Sequence, residues 1–109
     1  MQQEMMPLYD FPPPARYDHA YVCPSPRGCE VVKPLDQVRE TCAAFGVKVT
    51  RGVLYACSVM FGDHREGKSW PVCTIILPQI GGEISASDQK KLRRVESANC
   101  SGWPKGDRE

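Results

Sequence analysis

The chain has 109 residues, room for one domain with a single modest core. Hydrophobic residues make up 41% and charged residues 25%, the balance of an ordinary globular domain. With 14 basic and 13 acidic residues the formal charge is +1, which argues against a dedicated nucleic-acid binder; no apolar run approaches the ~20 residues that span a bilayer.

Residues 1–28 read as an extended Pro-rich arm. Phe11-Pro12-Pro13-Pro14 is polyproline-like, and Cys23-Pro-Ser-Pro-Arg-Gly-Cys29 is rich in turn formers. Proline at this density removes backbone donors and blocks helix. The arm is expected to lie over the surface, tied by Tyr9, Phe11, Tyr17 and Tyr21. Residues 29–109 form the single domain. Its first element is a short β-branched strand over residues 29–33. Pro34 then opens a helix at a position where a missing N–H costs little. Leu35, Val38, Cys42 and Phe45 recur at helical spacing, Arg39 and Glu40 fall on the wet side, and Gly46 is the left-handed stop.

Residues 53–61 alternate as a strand, with Val53, Tyr55, Cys57, Val59 and Phe61 on one face. The polar stretch 62–69 follows turn chemistry. A second strand runs over residues 72–77 and ends at Pro78. A hairpin on that loop places Cys57 opposite Cys73 and Pro71 opposite Val59, where the ladder does not need the proline's N–H. Gly81-Gly82 punctuates the chain, and Ser85 with Asp88 resembles a capping box. A helix is expected over residues 86–100, stopped by Gly102. The order predicts an α+β domain with a small, mostly antiparallel sheet and two helices.

Six cysteines in a chain this short favour disulfides and an oxidising, exported or periplasmic setting; free core thiols and a metal site are the alternatives. Residues 1–10 lack a signal-peptide pattern, so the chain either stays inside or is a mature form. The pairs expected are Cys57 with Cys73, Cys42 with Cys100, and Cys23 with Cys29.

The last helix carries the most specific signal, Arg94-Val95-Glu96-Ser97-Ala98-Asn99-Cys100-Ser101-Gly102-Trp103-Pro104. It resembles the end of a small bacterial family, often found on mobile elements, whose zincin-type motif reads Arg-His-Glu-x-x-His-Cys-Asn-Gly-Trp-Pro followed by a further His. Pro7-Leu-Tyr-Asp-Phe11, Cys42 and Cys73-Thr-Ile-Ile-Leu-Pro78 fit the same framework. The resemblance implies zinc proteolysis: two His one turn apart bind zinc, the Glu activates a zinc-bound water, and a third ligand follows the Gly turn. Here the His positions hold Val95 and Asn99, the Glu position keeps Glu96, and the downstream His position holds Asp107. Valine cannot ligate a metal and a neutral amide is a poor zinc ligand. Glu96 is catalytic only if the chain is active; otherwise it reads as a solvated or ion-paired helix residue. His64 and His19 are weak substitutes, more simply read as surface residues.

Lys90, Lys91, Arg93 and Arg94 form a basic cluster, read as a solvated face or a docking patch for an acidic partner. Trp103 is expected to pack against the hairpin; exposed, it would be a binding hot spot. The leading expectation is a non-catalytic, degenerate zincin-like domain that binds another protein and needs no cofactor. The alternatives are a hydrolase with an unusual zinc set such as Glu96, Asp107 and His64, and an unrelated Cys-rich interaction module.

Overall fold

The computed structural model describes residues 12–26, 28–47, 54–65 and 68–103. In chain order they form a short 3-10 turn (Ala15–Tyr17), strand β1 (Glu30–Lys33), helix α1 (Leu35–Ala44), strands β2 (Cys57–Arg65) and β3 (Lys68–Pro78), and helix α2 (Ala86–Cys100). The fold class is α+β. The strand order is β1-β3-β2, with β2 antiparallel and β1 parallel to β3. The sheet is therefore mixed rather than mostly antiparallel: α1 and β2 intervene between β1 and β3, long enough a crossover for two strands to run the same way.

The sheet is a middle layer between the helices. Val38 and Cys42 of α1 pack with Cys57 and Ile76 on one face. Leu92 and Val95 of α2 pack with Ile75, Leu77, Tyr55 and Ile84 on the other. Consecutive residues of β3 feed opposite cores, as the two-residue strand period demands, so β3 reads as a continuous apolar run. Tyr55 departs from the expected face because residues 54–56 precede β2 and do not share its alternation. Phe45 also leaves the core: it caps α1 and is largely exposed.

The hairpin is longer than expected. Pairing runs from Cys57↔Ile76 to Arg65↔Lys68, through most of the polar stretch read as a loop. Polar side chains do not stop a ladder built from backbone groups. The register differs too: Cys73 lies opposite Met60, and Pro71 opposite Gly62. Cys57 and Cys73 consequently sit on opposite faces and cannot bond across the hairpin. Instead Cys42 bonds Cys57 and Cys73 bonds Cys100, while Cys23 bonds Cys29 as expected. Each long disulfide ties one helix to the sheet face that it covers.

β1 pairs with β3 only over residues 75–78, leaving residues 68–74 without a strand on that side among the described residues. Two features blunt this edge. The Ile75 N–H donates toward β1, to the Cys29 carbonyl (2.7 Å), so the N of residues 73 and 71 faces the same way. The Cys73 N–H is taken by the Tyr21 hydroxyl of the arm (3.1 Å). Pro71 has no N–H to leave unpaired. The arm thus lies along the sheet edge, held by Tyr17 and Tyr21; Tyr9 and Phe11 fall outside the described residues.

Candidate functional site

Helix α2 begins with the expected capping box. The Asp88 N–H donates to Ser85 Oγ and the Ser85 N–H to Asp88 Oδ2, both at 3.0 Å. Leu92, Val95, Glu96 and Ala98 are all buried, and Leu92 and Val95 pack with the sheet. After Ser101 the chain turns at Gly102 (φ +118°), and the Trp103 N–H returns to the Ala98 carbonyl (3.0 Å). A Cβ on Gly102 would stand 3.3 Å from Cε1 of Tyr17, so both the conformation and the arm's approach require glycine.

The motif positions fall on this framework as follows. Val95, at the first His position, is 1% exposed among Tyr55, Ile75, Leu77, Ile84 and Leu92. Asn99, at the second, is partly buried and donates from Nδ2 to the Trp103 carbonyl (3.0 Å), fastening the Gly turn. Glu96 is 0% exposed, which corrects its reading as a solvated residue. Trp103 packs against the same core cluster. Asp107 lies outside the described residues. His64 pairs with Ser69 in the ladder, four residues along β2 from Met60, ~13 Å from the strand position opposite Cys73. His19 is exposed on the arm. Among the described residues no group of three or more His, Cys, Asp or Glu is placed to hold a metal. Chemically, the two helical positions do not fit zinc: one is an aliphatic core residue, the other an amide already engaged.

The basic cluster of α2 is largely spent inside the molecule. Arg93 Nε pairs with Glu30 Oε2 of β1 (2.8 Å). Arg94 forms a two-pronged pair with Asp18 of the arm, Nε to Oδ1 at 2.8 Å and Nη2 to Oδ2 at 2.5 Å. The Arg94 hydrogen bonds hold the Asp18 carboxyl below its usual range, against a small opposing effect of burial, and Arg94 is raised in turn. These arginines dock strand and arm onto α2. Nothing in the sequence marked Glu30 or Asp18 as their counterparts, because the two contacts join residues 63 and 76 apart in the chain.

Tyr55 is a further enclosed polar group. Its hydroxyl has no hydrogen-bond partner among the described residues, and the Arg39 guanidinium lies 5.5 Å from its ring centroid. Arg39 also donates to the Leu54 carbonyl (3.0 Å), so it does not sit on the wet side of α1 as expected. Burial raises the phenol's pKa, and the charge of Glu83 adds to the rise. Close by, an open cleft of about 360 Å³ is lined by Pro34, Leu35, Gln79, Glu83 and Ile84 at the carboxyl ends of β1 and β3.

No protein-family model, curated protein or solved structure matches this chain. Three disulfides fit an oxidising environment, and no helix among the described residues is long and apolar enough to cross a membrane.

Proposed function

We propose that this chain is a non-catalytic domain of an exported or periplasmic setting that binds another protein, built on the zincin-like framework that its last helix resembles. The observation that carries this reading is Val95. The helix face that a zincin would turn toward metal and substrate here packs against the sheet, with Val95 1% exposed and Glu96 enclosed beside it. A general base needs a water and a route for substrate; a carboxyl at 0% exposure has no open route for substrate.

Two measurements on the oxidised protein test the reading. Elemental analysis after dialysis is expected to give no stoichiometric zinc. Assays with an unfolded protein substrate, with and without added zinc, are expected to show no cleavage by wild type or Glu96→Gln. Cleavage by wild type that Glu96→Gln lowers ~10²–10⁴-fold, the usual loss of a general base, would overturn the proposal.

A further inference from the structure

β1 is an edge strand whose outer side is bare. The Ile75 N–H donates to the Cys29 carbonyl (2.7 Å) and the Gln79 N–H to the Lys33 carbonyl (2.9 Å). Residues 29 and 33, and Val31 between them, therefore turn their backbone groups toward β3. The two-residue period turns those of Glu30 and Val32 the other way, where no group among the described residues meets them. The side chains do not blunt this edge. Val31 and Val32 are 37% and 49% exposed, and Glu30, the acid that would repel an added strand, is engaged by Arg93. The open stretch of the β3 edge differs, because there Tyr21 takes the Cys73 N–H and Pro71 has none to offer. At the carboxyl end of β1 stands the cleft of about 360 Å³, walled by Pro34, Leu35, Gln79, Glu83 and Ile84, with exposed Ile80 next to Gln79 in the chain. Glu83 in its wall and Asp36 on the first turn of α1 are both exposed and make no ion pair among the described residues, against one base nearby in the chain, Lys33.

We propose that the outer edge of β1 and this cleft form one strand-addition site, which takes an extended apolar segment of another protein with a Lys or Arg near its end. The proposal rests on the reading of this chain as a protein-binding domain and names where and what it binds. The segment's backbone pairs with the N–H and carbonyl groups of Glu30 and Val32, as in other edge-strand recognition. Its apolar side chains cover Val31 and Val32 on the two faces of the strand. Its basic side chain passes Pro34 and meets Glu83, which shares the cleft with Pro34. Main-chain pairing supplies the hold, and the unpaired acids select the charge.

The test uses the oxidised, isotope-labelled chain and a blocked probe peptide, Lys-Thr-Val-Thr-Val-Lys, followed by NMR to about 1 mM, the weak limit expected of so short an edge. A lysine at each end lets either strand direction bring one to the cleft. Amide shifts are expected at Glu30, Val32, Glu83 and Ile84, with slowed amide exchange at Glu30 and Val32. Replacing both lysines of the probe by Glu is expected to weaken binding about tenfold. Glu83→Gln, a change at an exposed residue, is expected to shrink that preference while the β1 shifts remain. Val32→Pro deletes an outward donor and no bond to β3, and is expected to weaken binding about fivefold. Two probes N-methylated at alternate residues, one in each phase, decide the same point if that variant fails to fold: one phase is expected to bind and the other not, since a single row of N–H groups faces β1. No shift at Glu30 and Val32, equal binding of the two methylated probes, or a Glu probe that binds as well as the Lys probe would overturn the site. Concentration-dependent shifts at Glu30 and Val32 without any probe would assign the edge to a second copy of this chain and overturn it too. These failures strike this site alone; stoichiometric zinc or substrate cleavage strikes the reading on which it rests.

Discussion

Val95 and Glu96 are neighbours on α2 with opposite solvation demands, and both are enclosed. Valine gains from that burial; a carboxyl is stable there only when its oxygens are engaged, and Glu96 is not without a partner. The pair makes the helix face a packed seam rather than a ligand shelf. Replacing Val95 by His tests this directly. An imidazole is larger than the valine, carries two polar nitrogens, and would enter a site walled by Ile75, Leu77, Ile84 and Leu92. The expected cost is about 2–4 kcal/mol, or ~10 °C or more in Tm for a chain of this size, in Val95→His and in Val95→His/Asn99→His alike. Added zinc is expected to return none of it, because the imidazole faces the core. Recovery of most of the lost Tm with one equivalent of zinc would mean that the face opens to a metal.

At the scale of elements, the two long disulfides do what the small core cannot do alone. Cys42–Cys57 and Cys73–Cys100 close sequence separations of 15 and 27 residues, against 6 for Cys23–Cys29. Chain-entropy arguments rank them at about 3, 3.5 and 2.2 kcal/mol. The two long ones also fill space between a helix and the sheet. Paired Cys→Ala substitutions are therefore expected to lower the urea midpoint markedly for either long staple and least for the arm's. The reverse ranking would show that the arm, not the helix staples, holds the fold. Both helices were legible in the sequence. Their apolar spacing, the Ser85–Asp88 box and the glycine stops at Gly46 and Gly102 are local signals, and the structure uses each one. The cysteine pairing was not legible, because it hangs on hairpin register. Sliding Cys73 from Cys57 to Met60 moves it to the other face and exchanges its partner. No local residue marks that slip, since Ile76 serves one core and Ile75 and Leu77 the other, and either phase looks equally apolar.

For the molecule as a whole, the arm adds a second set of ties among elements that already meet. It touches α2 through Asp18 and Tyr17, β3 through Tyr21, and β1 through Cys23. The parallel β1–β3 pair leaves part of the β3 edge open, and an open edge invites strand addition from other chains; the Tyr21 hydroxyl on the Cys73 N–H and Pro71 blunt it. That role gives the arm a pH dependence of known sign. Arg94 holds the Asp18 carboxyl below its ordinary value of 3.8 in the folded chain. Its contribution is therefore fully present above that value and is lost as pH falls through the lowered one. Both side chains are substantially exposed, at 52% for Arg94 and 28% for Asp18, so the pair adds little to global stability. Its effect is local. Acidification from pH 6 to about 3 is expected to raise amide exchange at Cys73, corrected for its intrinsic pH dependence, while the midpoint of global unfolding follows the rest of the molecule. Asp18→Asn is expected to show the raised exchange already at pH 6 and no further acid response. Equal protection of Cys73 at both pH values in the native chain would show that Tyr21 and the Cys23–Cys29 disulfide hold the arm without the ion pair.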